Sequence, residues 1–254
     1  MKIQAAAKGE LRHRARGNYP PLTREQFQAI RKLDTCVVSN AIETFSVRLR
    51  NEGFAGPGIL CMFPELGPVL GNAVTAQIRS SGPPVEGHAY LDRTDWWNAI
   101  LSVPPPRVVV IEDIDRMPGR GGFIGEVHAN ILMALECVGA VTNGAVRDLP
   151  AVSGMGFPLF ARNAAVSHSY VHIVSVGGAV EIAGLKVWPG DLIHADCHGV
   201  LSIPREIAPE IPAVAERIRD HERKIIGLCR APNFSIDKLR AVVRESAQTP
   251  SSKV

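Results

Sequence analysis

The spacing of apolar residues predicts helices at the start of the chain and a long strand after them. In the segment 22–45, apolar residues recur every three or four positions on both sides of Asp34, and Thr23 is a typical N-cap. The segment 67–80 is rich in small and β-branched apolar residues and is bounded by glycine, proline and serine, which is typical of a strand. A loop over 81–87 follows it.

The middle of the chain has the order strand, loop, helix, strand. A helix over 90–103 ends at three consecutive prolines, and the β-branched run 107–115 comes next, with acidic residues at its carboxyl end. A glycine-rich loop leads into a helix over 126–139 and then into a strand over 140–144. This order predicts that the two strands are parallel neighbours in one sheet.

Beyond Pro150 the pattern changes to short strands with turns. The segment 158–204 has glycine or proline turns every six to ten residues, which is typical of antiparallel or barrel-like β-structure. From Arg205 onward the chain predicts a charged amphipathic helix. We therefore expect four parts: a flexible extension over 1–21, one α/β domain over 22–204, a C-terminal helical segment over 205–245 and a disordered tail over 246–254.

Length, charge and cysteine content narrow the class of protein. The 254 residues suffice for one large core, and a net charge of +3 with scattered basic residues does not indicate nucleic-acid binding. The five cysteines are odd in number and form no CxxC pair, which argues against a disulfide framework and a structural zinc site. No apolar run is long enough to span a bilayer. We expect a cytoplasmic protein with reduced thiols that binds neither nucleic acid nor membranes.

The glycine-rich loop at 119–125 is the first candidate for a binding site. Its glycines do not match G-x-G-x-x-G, and the acidic residues around them would repel a pyrophosphate. The helix that starts at Glu126 and Val127 offers free backbone N–H groups and the positive end of its dipole, and glycines let a ligand approach closely. The loop therefore favours a small carboxylate over a nucleotide.

Arg147 and Asp148 are the second candidate, because opposite charges follow a predicted buried strand. If the strands 107–115 and 140–144 are neighbours, their carboxyl ends open at the edge where the helix begins at Glu126. Arginine suits bidentate contact with a carboxylate, and acidic oxygens suit Mg²⁺ or Mn²⁺. From spacing alone, an exposed turn pair that contributes little to stability is an equally good interpretation.

The stretch GEVHANILMALECVGAVTNGAVRD, residues 125–148, resembles the signature of the RraA-like family. That family includes class II pyruvate aldolases that cleave 4-hydroxy-4-methyl-2-oxoglutarate. The resemblance extends through DTCVVSNAIE, LGNAVTAQI, FPLFARN and the segment 176–204, so it covers roughly 22–204. It implies a layered α/β/β fold of swivelling-domain type, with a mixed sheet or barrel-like β core. It also implies a homotrimer or homohexamer with sites between subunits.

The resemblance further implies roles for individual residues. Asp148 matches an aspartate that binds Mg²⁺ or Mn²⁺ directly, and Arg147 matches an arginine that binds the 2-oxo acid end of the substrate. Glu126 matches an acidic position that holds metal-bound water. Gly125 and the N–H of Val127 match the backbone that holds the pyruvyl carboxylate.

Other positions are less closely tied to the pattern. Glu222 is the nearest candidate for a glutamate that completes the metal site from a neighbouring subunit, although a solvated helix face also explains it. Asn143 stands where many family members carry aspartate, and His198 where many carry an acid, which affects the expected substrate more than the chemistry. His128 could face the site from the helix, and His194 is expected to be structural because it alternates with apolar residues.

The predicted function is a divalent-metal-dependent lyase that releases pyruvate from a 4-hydroxy-2-oxo acid, with oxaloacetate decarboxylation through the same enolate. Arg147, Glu126 and Asp148 are the predicted catalytic residues, and a metal-linked water held by Glu126 is the predicted base. The alternative is a non-enzymatic RraA-type regulator that binds an RNA-degrading endonuclease. Such regulators tend to lose the aspartate after the arginine, whereas this chain keeps Asp148.

Overall fold

The structure is a computed structural model, and it describes residues 20–84 and 93–247. The helices in this part are α1 (Arg24–Arg31), α2 (Thr35–Thr44), α3 (Arg93–Leu101), α4 (Glu126–Ala134), α5 (Leu149–Gly154), α6 (Ile211–Arg230) and α7 (Ile236–Ala247). The strands are β1 (Leu60–Cys61), β2 (Val69–Arg79), β3 (Arg107–Asp113), β4 (Gly122–Ile124), β5 (Cys137–Thr142), β6 (Ala145–Val146), β7 (Leu159–Ala161), β8 (Asn163–Ala164), β9 (His172–Val176), β10 (Val180–Ile182), β11 (Leu185–Val187), β12 (Leu192–Asp196) and β13 (Gly199–Ile203).

Side-chain caps begin the first two helices, and the sequence predicts the one at Thr23. The Thr23 hydroxyl accepts the N–H of Gln26, and the Gln26 side chain accepts the N–H of Thr23, which forms a capping box at the start of α1. Asp34 accepts the N–H of Val37 at 2.8 Å and starts α2. The predicted helices on both sides of Asp34 are therefore confirmed.

A mixed sheet of eight strands forms the centre of the fold and nearly closes into a barrel. Its strand order is β1-β7-β5-β3-β2-β12-β13, and β9 pairs with the second half of β2. Strands β2, β3, β5 and β7 are parallel neighbours, and the remaining pairs are antiparallel. The predicted α/β class with a mixed, barrel-like β core is confirmed, and so is the parallel pairing of β3 with β5.

Alternate residues of the central strands pack into different cores. In β3, Val108 and Val110 face a core shared with β10, β11 and β12, whereas Val109 and Ile111 pack with α3 and α4. A third core joins α1, α2 and α6 to Leu70 and to residues of β12 and β13. Helices thus cover the outside of a sheet whose other face is filled by more β-structure.

Several predicted boundaries are wrong for local reasons. The helix predicted over 126–139 ends at Ala134, because Glu136 adopts a φ of 55° that closes the helix and starts β5. Leu149 and Pro150 begin the short helix α5, which the sequence did not predict, since proline suits the first turn of a helix, where its missing N–H is not needed. The predicted loop at 119–125 contains β4. Strand β7, in the segment predicted to be antiparallel or barrel-like, pairs in parallel with β5 and antiparallel with β1.

Some predictions fall partly or wholly outside the described residues. These are most of the extension over 1–21, part of the loop over 81–87, the start of the helix over 90–103 and most of the tail over 246–254. Helix α7 continues to Ala247, beyond the boundary predicted at 245. Among residues 20–84 and 93–247, no helix combines the length and apolar character needed to cross a membrane. All five cysteines lie in these ranges and are unpaired.

Candidate active site

Arg147 and Asp148 lie in a tight turn between β6 and α5. The N–H of Arg147 donates to the carbonyl of Ile124 at 2.9 Å, which anchors the turn to β4. Asp148 has a φ of 55° in the left-handed region, which is uncommon for a residue other than glycine. The three parallel strands β4, β6 and β8 form a small sheet of their own, and this sheet brings the turn to the start of α4.

The Asp148 carboxylate is held by two donors. One oxygen accepts the backbone N–H of Glu126 at 3.1 Å, and the other accepts Nε of Arg147 at 3.1 Å. The hydrogen bond from Glu126, followed by that from Arg147, lowers the pKa of Asp148 from its ordinary value of 3.8. Asp148 is therefore ionised at neutral pH, as a carboxylate that binds a metal must be.

Gly125 lets these groups come together. It is the N-cap of α4, and a Cβ at this position would lie 2.9 Å from Cγ of Arg147 and would overlap the carboxylate of Asp148. Gly122 faces the aliphatic part of Arg147, with a Cβ position 3.2 Å from Cγ. The two glycines thus form a cradle that any other side chain would fill.

The guanidinium of Arg147 has donors left for a ligand. Its Nε is bonded to Asp148, and no acceptor within the described part of the chain takes its terminal amino groups. The N–H of Val127 lies in the first turn of α4, where a helix has no internal acceptor for it. Arg147 and Val127 therefore present donors on the same side of the turn, close to the positive end of the helix dipole.

These groups open onto a cavity of about 540 Å³. Its walls are aromatic and apolar, with imidazoles among them. The lining residues are Trp96, Trp97, Phe123, Gly125, Val127, His128, Ile131, Arg147, Asp148, His168, Val171, His172 and Ile173. A cavity of this size and composition suits a small organic ligand that is anchored at one end by charge.

The predicted site residues are brought together only in part. Gly125, Val127, Arg147 and Asp148 all line the cavity. The backbone N–H of Glu126 donates to Asp148. Glu126 itself is exposed and is not among the residues that line the cavity. Glu222, on α6, is also exposed and does not line the cavity of its own chain.

The cavity contains side chains that the sequence did not single out as site residues. Trp96 and Trp97 come from α3, His168 comes from the segment between β8 and β9, and His172 is the first residue of β9. The adjacent tryptophans Trp96 and Trp97 are a sequence signal for this wall, because neighbouring side chains on a helix point in different directions and cannot both face the same core. Nothing in the local sequence marked His168 or His172.

His128 lines the cavity, as the sequence suggested, and both of its ring nitrogens are engaged. Its Nδ1 lies 3.1 Å from the carbonyl of Phe123, so it must carry the proton, and Nε2 accepts the indole N–H of Trp96 at 3.3 Å. The ring also meets Phe123 edge to face, with centroids 4.5 Å apart. His128 therefore packs the wall of the cavity.

The acidic residues at the end of β3 fasten loops. Asp113 accepts the N–H of Gly119 at 2.9 Å, and Asp115 accepts the N–H groups of Ser80 and Ser81 at 2.7 Å. Asn143 accepts the N–H of Asp113 at 2.7 Å and donates to its carbonyl at 3.1 Å. An amide can both accept and donate, whereas an ionised carboxylate can only accept, which explains the asparagine at a position where many members of the family carry aspartate.

His194 and His198 lie away from the cavity. His194 is fully buried, with Nδ1 3.3 Å from the Thr35 hydroxyl, which agrees with the expected structural role. His198 sits in the β12–β13 turn, where ligand atoms of Asp196, Cys197 and His198 lie within 4.8 Å of one another. Asp196 already accepts the N–H groups of Thr35 and His198 at 2.8 Å, so the carboxylate shapes this turn.

The residues around Asp148 fit a hard divalent cation. Its ionised carboxylate is 36% exposed and faces a cavity with room for ligand oxygens and water. Mg²⁺ commonly binds through one or two carboxylates and completes its shell with water and substrate oxygens. Asp148 would hold such an ion, and Arg147 beside it would bind the anionic ligand.

The chain combines a nearly closed mixed sheet with a carboxylate, a guanidinium and the start of a helix at one cavity. The family model described as "RraA-like: Aldolase/RraA" matches residues 35–202. The chain belongs to the RraA-like family.

Relatives and solved structures agree with this family. The chain is 39% identical over 195 residues to an uncharacterized protein of Methanocaldococcus jannaschii, covering 73% of this chain and 86% of that protein. It is 28% identical over 141 residues to a protein of Halalkalibacterium halodurans provisionally named 4-hydroxy-4-methyl-2-oxoglutarate aldolase, covering 54% of this chain and 60% of that protein.

Two crystal structures share the fold. An uncharacterized protein of Pseudomonas syringae superposes with a TM-score of 0.68 at 24% identity, covering 88% of this chain and 96% of the other. Streptomyces coelicolor RraAS2, described as an unusual member of the RNase ES inhibitor RraA protein family, superposes with a TM-score of 0.63 at 20% identity, covering 84% of this chain and 100% of the other.

Proposed function

We propose that the protein is a divalent-metal-dependent lyase that cleaves a C–C bond of a 4-hydroxy-2-oxo acid and releases pyruvate. The observation that carries this proposal is the ionised Asp148 carboxylate, held beside Arg147 at the start of α4 and open to the cavity. The relative named as an aldolase supports the same chemistry.

Arg147 and Val127 would hold the 2-oxo acid end of the substrate. The free terminal amino groups of Arg147 can take a carboxylate in bidentate geometry, and the N–H of Val127 can donate to the same group. Because both lie on fixed backbone, the substrate would be oriented before it reacts. The rest of the substrate would extend along the aromatic wall formed by Trp96, Trp97 and Phe123.

The reaction needs stabilisation of an enolate. When the C3–C4 bond breaks, negative charge develops on the keto oxygen, and Arg147 is positioned to donate to it. A bound Mg²⁺ or Mn²⁺ held by Asp148 would supply Lewis-acid stabilisation of the same charge. Loss of CO₂ from oxaloacetate yields the same enolate, so we propose decarboxylation as a second activity of the site.

The assembly that fits this proposal is a homotrimer or homohexamer with the cavity at a subunit boundary. The loops near the cavity and the first turn of α4 expose large apolar side chains, with Met117 at 66%, Val127 at 73% and Val166 at 98% exposure, which a neighbouring subunit would cover. Glu222 of a neighbouring subunit would then be the candidate to complete the metal shell. The unpaired cysteines fit a protein that acts in the cytoplasm.

The alternative, a regulator that binds an RNA-degrading endonuclease, does not require an ionised aspartate in a cavity of this kind. The test is pyruvate release from 4-hydroxy-4-methyl-2-oxoglutarate and from oxaloacetate, coupled to lactate dehydrogenase, with Mg²⁺ or Mn²⁺ and then with chelator. We expect release that the chelator abolishes and that Arg147→Lys reduces, with Arg240→Lys on the exposed face of α7 as the matched control. No release from either compound with metal present would contradict the proposal.

A further inference from the structure

The segment between β8 and β9 is fixed against the glycine-rich loop at the mouth of the cavity. The N–H of Gly122 donates to the carbonyl of Ser167 at 2.9 Å, and the N–H of Val171 donates to the carbonyl of His168 at 3.1 Å. A Cβ on Gly121 would overlap the His168 backbone, so only glycine allows this approach. The backbone of His168 is therefore held in one place relative to the site.

The imidazole of His168 has its tautomer set by a carbonyl. Its Nδ1 lies 3.1 Å from the carbonyl oxygen of Gly122, and a carbonyl can only accept, so Nδ1 carries the proton. In the neutral ring, Nε2 then holds the lone pair. Among the described residues, Nε2 has no hydrogen-bond partner, and His168 lines the cavity that contains Arg147 and Asp148.

Resting on the proposed function, we propose that His168 is the general acid–base of the aldol reaction. Its Nε2 removes the proton from the C4 hydroxyl of the bound 4-hydroxy-2-oxo acid. The C4–O bond becomes a carbonyl, the C3–C4 bond breaks, and its electron pair forms the enolate of pyruvate. The imidazolium then returns the proton to C3, which gives the methyl group of pyruvate and leaves His168 neutral.

Three other groups at the site, His128, Glu126 and Asp148, are less suited to this step. Both ring nitrogens of His128 are engaged by Phe123 and Trp96. Glu126 does not line the cavity. Asp148 is ionised, but its two oxygens already accept hydrogen bonds from the N–H of Glu126 and from Arg147.

The rate of oxaloacetate decarboxylation distinguishes a catalytic role of His168 from a structural one. Oxaloacetate has no C4 hydroxyl proton to remove, so loss of CO₂ needs the anion site and the metal ligand but no base at C4. The test variant is His168→Asn, because the asparagine amide can still donate to the Gly122 carbonyl while Nε2 is lost. His221→Asn on α6, outside the cavity, is the matched control.

Two rates are measured with Mg²⁺: pyruvate release from 4-hydroxy-4-methyl-2-oxoglutarate and oxaloacetate consumption. We expect His168→Asn to lower the first by roughly 10²- to 10⁴-fold, the range of general acid–base catalysis, and the second by less than about tenfold. An equal loss of both rates, no loss of either, or a selective loss in His172→Asn instead would overturn the assignment. If the unaltered protein shows neither activity, the proposed function itself fails, which is distinguishable from each of these results.

Discussion

The backbone N–H of Glu126 donates to the Asp148 carboxylate at 3.1 Å, across 22 residues of sequence. This bond joins the first turn of α4 to the turn after β6, so the position of the carboxylate depends on the position of the helix. It also supplies the main effect that lowers the pKa of Asp148. The negative side chain lies at the positive end of the helix dipole, which stabilises the ionised form further.

Gly125→Ala should disrupt this relationship without unfolding the protein. The added Cβ would overlap the Asp148 carboxylate and crowd Arg147, so the two side chains must move. A displacement of about 1 Å at a catalytic group can reduce a rate by about 10²-fold. We expect a loss of that size in kcat/KM for pyruvate release, with a change in Tm of only a few degrees.

The matched control for this variant is Gly178→Ala. No heavy atom lies within 4 Å of a Cβ at Gly178, and its φ is not in the left-handed region. We expect pyruvate release by Gly178→Ala to equal that of the unaltered protein. Equal activity of Gly125→Ala and Gly178→Ala would mean that the approach of Asp148 to the start of α4 does not matter for function.

Asn143→Asp should destabilise the fold although the two side chains have the same shape. The carboxylate keeps the bond from the N–H of Asp113 but loses the donor to the Asp113 carbonyl, which leaves that acceptor unpaired. We expect the free energy of unfolding in urea to fall by about 1–3 kcal/mol. Asn130→Asp, at an exposed position of α4, should change it by no more than roughly 0.5 kcal/mol. A similar effect of both variants would contradict this explanation of Asn143.

Much of the fold could be predicted because its signals are local. Thr23 and Asp34 cap helices by bonding to residues three positions away. Strands β2 and β3 are long enough for their apolar, β-branched pattern to be recognised in the sequence. The strands β4, β6 and β8 have two or three residues each, too few for a pattern, and they exist because they pair with one another. The sheet that orients Arg147 and Asp148 was therefore not visible in the sequence.

The site likewise has residues that the local sequence indicates and residues that only distant contacts bring to it. Gly125, Val127, Arg147 and Asp148 could be chosen from a compact stretch of sequence, and all line the cavity. His168 reaches the cavity through bonds to the glycine-rich loop 46 residues before it in the chain. The sequence contains no local trace of that contact, because it follows from the pairing of β6 with β8.

His194 should make stability depend on pH in a defined range. Burial lowers its pKa from the ordinary value of 6.5, although the charge of Asp196 opposes this. Below about pH 6.5 residue 194 therefore binds more protons in the unfolded chain than in the folded protein, so its contribution to stability is full above this pH and falls as the pH decreases. Between pH 7.5 and 5.5 we expect the free energy of unfolding to fall by at most about 1.4 kcal/mol from this residue.

His194→Gln should remove that dependence, and His221→Gln, at a half-buried position of α6, should keep it. Between about pH 7.5 and 5.5 the carboxyl groups of Asp115, Asp148 and Asp196 do not titrate, because the fold lowers their pKa values from 3.8. These three carboxylates contribute to the free energy of unfolding above about pH 4, and this contribution is lost only at lower pH. An unchanged slope in His194→Gln would show that another group is responsible.

A metal-dependent enolate site at Arg147 and Asp148 should act on pyruvate alone. Exchange of the pyruvate methyl protons in D₂O, followed by NMR, requires the enolate but no particular substrate tail. We expect exchange that depends on Mg²⁺ or Mn²⁺, stops with chelator and falls by at least about 10²-fold in Asp148→Asn, whose circular dichroism should match the unaltered protein. Exchange that persists in Asp148→Asn, or no exchange at any metal concentration, would mean that Arg147 and Asp148 do not form a metal-dependent enolate site.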